Sequence, residues 1–121
     1  MVNPMMVDGQ VIGGLACGIG NALYEESPYN TQGQPQAVTL GDYRVPGAAA
    51  IPEVRIVHME TPSPFAEFGM KGVGESGAIG PPAAIANAVN DALKVLGAEI
   101  METPMTRRRI LTAIEAARPQ P

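Results

Sequence analysis

Cysteine occurs once, at Cys17, and histidine once, at His58, in a chain of 121 residues. A single thiol excludes an internal disulfide and any zinc site of several thiolates, and it fits a reducing compartment. A single imidazole excludes a multi-histidine metal site within the chain. Tryptophan is absent and phenylalanine occurs twice, so small residues must do the packing that aromatic anchors usually do. Basic residues are few, 8 against 12 acidic ones, for a formal charge of −4. Phosphate binding needs a basic footprint, and Arg107-Arg108-Arg109 is too short to supply one, so nucleic acid is not expected as a partner. No basic leader runs into an apolar stretch, and no apolar run is long enough to span a bilayer. No membrane span is therefore expected, and a cytoplasmic location is the default.

Glycine and proline, by contrast, are plentiful at 14 and 12 residues, which places much of the backbone outside regular elements. Residues 1–121 read as a single domain or a fragment of one. A domain of this size folding alone buries only about two thirds of the surface its unfolded chain exposes, so dependence on a partner is expected.

Met5 to Val7, closed by Asp8-Gly9, reads as the end of a strand. Val11, Leu15, Ile19, Ala22 and Leu23 then follow helical spacing up to Ser27-Pro28. Gly14 and Gly18 lie four apart on one face of that helix, where they admit close approach of another element, either a packed helix or a large cofactor. Ala37 to Tyr43 is a possible short strand, and Asn30 to Pro35 a turn. Glu53 to Glu60 alternates like a strand, with Val54, Ile56 and His58 on one side. His58 reads as a packed or hydrogen-bonded strand residue rather than a base, because no local partner accompanies it. Gly80-Pro81-Pro82 opens a helix with Ile85, Val89, Ala92, Leu93 and Leu96 as its buried stripe, closed by Gly97. Thr106 caps a last helix, whose three arginines oppose the macrodipole in its first turn; an acidic partner, an anion or a solvated basic patch would each account for them. The pattern predicts an α+β fold with helices near 10–26, 82–96 and 107–117 and short strands between.

The segment of greatest chemical interest is Phe68-Gly-Met-Lys-Gly-Val-Gly-Glu-Ser-Gly-Ala-Ile-Gly-Pro-Pro82, in which one carboxylate, Glu75, is surrounded by small residues. Lys71 precedes the glycines, so this is not a phosphate loop of the Gly-Lys-Ser/Thr order. Gly18 and Gly20 form only part of a dinucleotide fingerprint, and Ser76 has no local base for a triad. Glu75 reads either as a carboxylate held against a ligand by neighbouring amides or as a solvated glutamate in a turn. A closed, apolar setting would poise it as a general base, but the other parts of any reaction must come from elsewhere.

Several stretches carry a family resemblance in order and spacing over nearly the whole chain. They are Asn3-Pro4 with Gly9-Gln10, Gly13-Gly14-Leu-Ala-Cys-Gly-Ile-Gly20, Asp42-Tyr43-Arg-Val-Pro46, Ile51-Pro-Glu-Val54, Lys71-Gly-Val-Gly-Glu-Ser76 and Pro82-Ala-Ala-Ile-Ala-Asn-Ala-Val-Asn-Asp-Ala92. Through them the chain resembles the C-terminal portion of the molybdenum-cofactor-binding large subunit of the xanthine dehydrogenase, aldehyde oxidase and aerobic carbon monoxide dehydrogenase family. That resemblance implies a segment of a larger molybdopterin-binding domain. It implies a molybdopterin-type cofactor, the cytosine dinucleotide form being one candidate. Glu75 matches the glutamate beside molybdenum, the general base of a hydroxylation that takes its oxygen from water. Gly74, Cys17, Gly18, Lys71 and Gly72 fall at cofactor-side positions, and no residue of this chain is a metal ligand. Expected partners are the remainder of the large subunit, an iron-sulfur subunit and an FAD subunit. The substrate class is an aldehyde or an aromatic N-heterocycle. Many members carry glutamine where this chain has Cys17, a smaller and weaker hydrogen-bonding group; that contact is lost, replaced by water or supplied by another subunit. Two further readings stay open: a non-catalytic structural or assembly module, and a small anion-binding module built on Gly72 to Gly77.

Overall fold

A computed structural model describes residues 1–118. The regular structure among them is helical: α1 spans Pro4–Leu23, α2 Ser76–Ile79, α3 Pro81–Leu93 and α4 Arg107–Ala117, with short 3-10 turns between. The expected α+β class is corrected here to a mostly helical one. Among the described residues no strand forms, and Tyr29 and Pro35 make only an isolated bridge.

Each missing strand has a physical reason. Met5 to Val7 belongs to the first turns of α1, because Asn3 caps it (Oδ1 accepting from Met6 N at 3.1 Å) and Pro4 occupies the first helical turn. Asp8-Gly9 therefore continues the helix instead of turning the chain. In the 37–43 segment Thr39 and Asp42 capture the local backbone: Asp42 Oδ2 accepts from Thr39 N at 3.2 Å and from Thr39 Oγ1 at 2.8 Å. Such side-chain bonds compete with ladder formation. Residues 53–60 find no strand to pair with among the described residues.

The helix expected from Pro82 begins at Pro81, and its last turn tightens to a 3-10 turn over Lys94–Leu96. Gly97 then adopts φ 68°, the left-handed conformation that glycine permits. The reversal brings Ala98 and Ile100 back onto Leu93, and with Met105 they form the buried core. Val89, Ile110 and Ile114 pack around it, joining α3 to α4. Met105 N donates to Ala22 O at 2.6 Å, which ties this unit to the end of α1. Asn90 clamps the return: its Nδ2 donates to Ile100 O and its Oδ1 accepts from Ile100 N, both at 2.9 Å. Asn90→Ala leaves both Ile100 groups unpaired and is expected to destabilise the fold by about 2 kcal/mol, read as a lower thermal midpoint.

This core is small for the chain. The accessible surface is 9252 Å², whereas a compact monomer of 12.6 kDa exposes about 6,200 Å². Phe65, Phe68, Met59, Leu40 and Val95 are each more than four-fifths exposed. Exposed apolar surface of this extent is the kind that marks interaction faces.

Candidate functional site around Glu75

One face of α1 underlies the glycine-rich loop. Gln10, Gly14 and Gly18 repeat at the four-residue spacing that shares a helix face. A Cβ at Gly14 would stand 2.7 Å from Ala78 N and from Gly77 C, and one at Gly18 would stand 2.6 Å from the Pro81 Cβ. A Cβ at Gly77 would in turn strike the Val11 backbone, 2.9 Å from its Cα. The close approach expected at Gly14 and Gly18 is thus made by α2 and by the start of α3. Gln10 adds the polar pin, donating from Nε2 to Gly74 O at 3.0 Å.

Glu75 is the residue before α2, at φ −94° and ψ 14°, the sparsely populated bridge region where many active-site residues sit. Its side chain is exposed, with no hydrogen bond or ion pair among the described residues. The hydroxyl of Ser76 is occupied, donating to Val73 O at 2.7 Å. The N–H groups of Gly72, Val73, Gly74 and Glu75 have no acceptor among the described residues. Apart from the adjoining residues, no atom lies within 4 Å of where a Cβ would project at Gly72 or Gly74. Lys71 reaches away from the glycines, donating to Thr61 Oγ1 at 2.6 Å.

Cys17 is a free, exposed thiol on α1, seven residues beyond Gln10 and so roughly 10 Å along the helix axis. Gly18 is buried beneath Pro81 and Pro82. His58 is hydrogen-bonded, as expected, but its partner is distant in sequence: Asp8 Oδ1 lies 2.7 Å from Nε2. The arginines of α4 meet Glu26, which Arg109 Nη2 approaches to 2.8 Å and Arg108 to 3.9 Å. Both partners lie far away in sequence, 50 positions for Asp8 and 83 for Glu26, so no neighbouring residue points to them. Tyr43 donates its hydroxyl to Glu25, whose carboxylate raises the phenol above its ordinary pKa, with burial adding to the effect.

A separate recess of about 850 Å³ lies between the end of α1, residues 36–50 and the start of α4. It contains no residue of the glycine loop, so the two features are distinct. Among the described residues no three His, Cys, Asp or Glu side chains gather closely enough to hold a metal ion, and no helix is long and apolar enough to cross a membrane.

The molybdopterin cofactor-binding domain family matches residues 1–52. The nicotine 6-hydroxylase large subunit of Paenarthrobacter nicotinovorans is 42% identical over 113 residues, covering 93% of this chain and 14% of that protein. The carbon monoxide dehydrogenase large chain of Hydrogenophaga pseudoflava is 35% identical over 114 residues, covering 94% and 14%. Quinoline 2-oxidoreductase from Pseudomonas putida 86 superposes with a TM-score of 0.91 at 48% identity, over 95% of this chain and 15% of that one. The chain thus spans about one seventh of the length of these relatives. Along nearly its whole length the chain matches one segment of the molybdenum-cofactor-binding large subunits, those of the xanthine and carbon monoxide dehydrogenases among them.

Proposed function

We propose that the chain is the C-terminal segment of a molybdenum hydroxylase large subunit, active only within the complete complex, and that Glu75 is its general base. The observation that carries this reading is the exposed, unpaired Glu75 carboxylate on a loop pinned at Gly74 by Gln10 and backed by the Gly14–Gly77 crossing. A pinned backbone limits where the carboxylate can go, which is what a proton acceptor at a fixed reaction centre requires.

The residues fit a bulky, hydrogen-bonding cofactor. The free N–H groups of Gly72 to Glu75 offer donors, the bare surfaces of Gly72 and Gly74 offer room, and the exposed Cys17 thiol lies on the same helix that supports the loop. Gly18 would act through packing, by drawing α3 onto α1, and Lys71 by holding the loop's entry to Thr61. When bound, the molybdenum cofactor supplies the two-electron oxidation. Glu75 accepts the proton given up as a water-derived oxygen becomes nucleophilic. The substrate class is an aldehyde or an aromatic N-heterocycle, and the nicotine and quinoline named for two relatives favour the heterocycle. Iron-sulfur and FAD subunits would carry the electrons onward, and a cytoplasmic location goes with this reading.

Purification through a tag on this chain from its native source is the test. The remainder of the large subunit, an iron-sulfur subunit and an FAD subunit are expected with it. Metal analysis should find molybdenum in the complex and none on the chain alone, and nucleotide release would identify a cytosine dinucleotide form. A complex lacking this chain yet retaining its molybdenum and turnover would make the chain an assembly module. Tight phosphate binding by the chain alone would favour an anion-binding module.

A further inference from the structure

From Glu53 to Thr61 the backbone makes no backbone hydrogen bond among the described residues. Burial nevertheless follows the two-residue period of extended chain: Val54 and Ile56 are half-buried, whereas Glu53, Arg55 and Val57 are exposed. Side chains hold the segment at its far end, through His58 to Asp8 at 2.7 Å and Lys71 to Thr61 at 2.6 Å. The segment is therefore positioned on this chain by its inner face, with both of its hydrogen-bonding edges open. Outward it presents Val57 and Met59, 76% and 92% exposed. Unpaired backbone beside apolar side chains is a template for another strand.

We propose that residues 53–60 are a β-strand whose pairing strand is supplied by the remaining portion of the large subunit. That occupant follows from proportion, since relatives matched along 93% of this chain are about seven times its length. The docking mode is strand addition, in which main-chain bonds provide affinity and alternate side chains provide specificity. The partner strand carries apolar residues at the positions facing Val57 and Met59. This inference rests on the proposed function, because that reading names the partner.

Hydrogen–deuterium exchange with residue resolution on the purified complex tests it. Amides of residues 53–60 should exchange on the order of 100-fold more slowly than in a freely exposed chain. Alternate amides are protected if one strand pairs, and all of them if two do, a signature that burial alone does not produce. Proline deletes the donor, so at least one of Arg55→Pro and Ile56→Pro should reduce recovery of the large-subunit portion ten-fold or more, whereas Arg55→Ala and Ile56→Val retain it. Fast exchange across 53–60 in a complex that does contain that portion overturns the inference and leaves the proposed function standing. A complex containing no such portion overturns the proposed function first. The exchange measurement uses the unaltered protein, so a proline variant that fails to fold does not obscure the outcome.

Discussion

Glu75→Gln in the assembled enzyme is expected to lower turnover by about 10²–10⁴-fold, the range supplied by a positioned acid or base. Molybdenum content and subunit composition should stay unchanged. The amide keeps nearly the shape of the carboxylate and removes its ability to take a proton. Among the described residues the Glu75 side chain has no ion pair or hydrogen bond, and α2 is not capped by it, so no contact there depends on its charge. The loop is held by other contacts, Gln10 to the Gly74 carbonyl and Ser76 to the Val73 carbonyl. A structural role therefore predicts little change, and the two readings separate cleanly. Glu75→Asp retains a base but withdraws it by one methylene, so its turnover should fall between the two. Single-turnover reduction of the enzyme by substrate is the measurement, with metal analysis on the same sample. Unchanged turnover in Glu75→Gln at full molybdenum occupancy would falsify the assignment.

Gly77→Ala is expected to destabilise the assembled protein by about 3 kcal/mol, the upper part of the overpacking range. Its added Cβ meets the backbone of Val11, and backbone in the middle of α1 cannot rotate aside as a side chain can. Gly14→Ala meets the same crossing from the other side, at Ala78 N and Gly77 C, and should behave alike. The double variant should cost less than the sum, because one separation of the elements relieves both contacts. Gly74→Ala is the control, since apart from the adjoining residues no atom lies within 4 Å of its added Cβ, and it should leave the thermal midpoint nearly unchanged. A loss of activity in Gly74→Ala at an unchanged thermal midpoint would then support the cofactor-side position proposed for Gly74. A Gly77→Ala protein as stable as the parent would mean that the crossing can open without cost.

Helical periodicity alone was enough for α3 and α4, because each has a proline or threonine at its start and a recurring apolar stripe. Gly97 stops the chain at the expected place, in the left-handed conformation, after a 3-10 turn that continues α3. At the start of α1 Asp8-Gly9 resembles a turn locally, but the Asn3 cap and Pro4 commit the chain to helix before it. Residues 53–60 have the alternation of a strand, but alternation describes side-chain placement only, and a ladder needs a second backbone. That backbone is missing among the described residues, which is why the pattern was legible and the element did not form.

The site divides in the same way. Glu75, its glycine neighbours and the spacing of Gly14 and Gly18 were all visible as residues, since each carries its meaning in its own chemistry: a carboxylate, a missing Cβ, a shared helix face. Gln10 stood inside a recognisable stretch, yet its bond to the Gly74 carbonyl spans 64 positions and follows from no local rule. The pairings of His58 with Asp8 and of Arg109 with Glu26 span 50 and 83 positions. Local composition thus determines which groups are available, and the motifs carry the family resemblance. Only the packing of α1 beneath the loop decided which groups meet, because contacts between distant residues depend on how the helices stack rather than on the order in which they are strung.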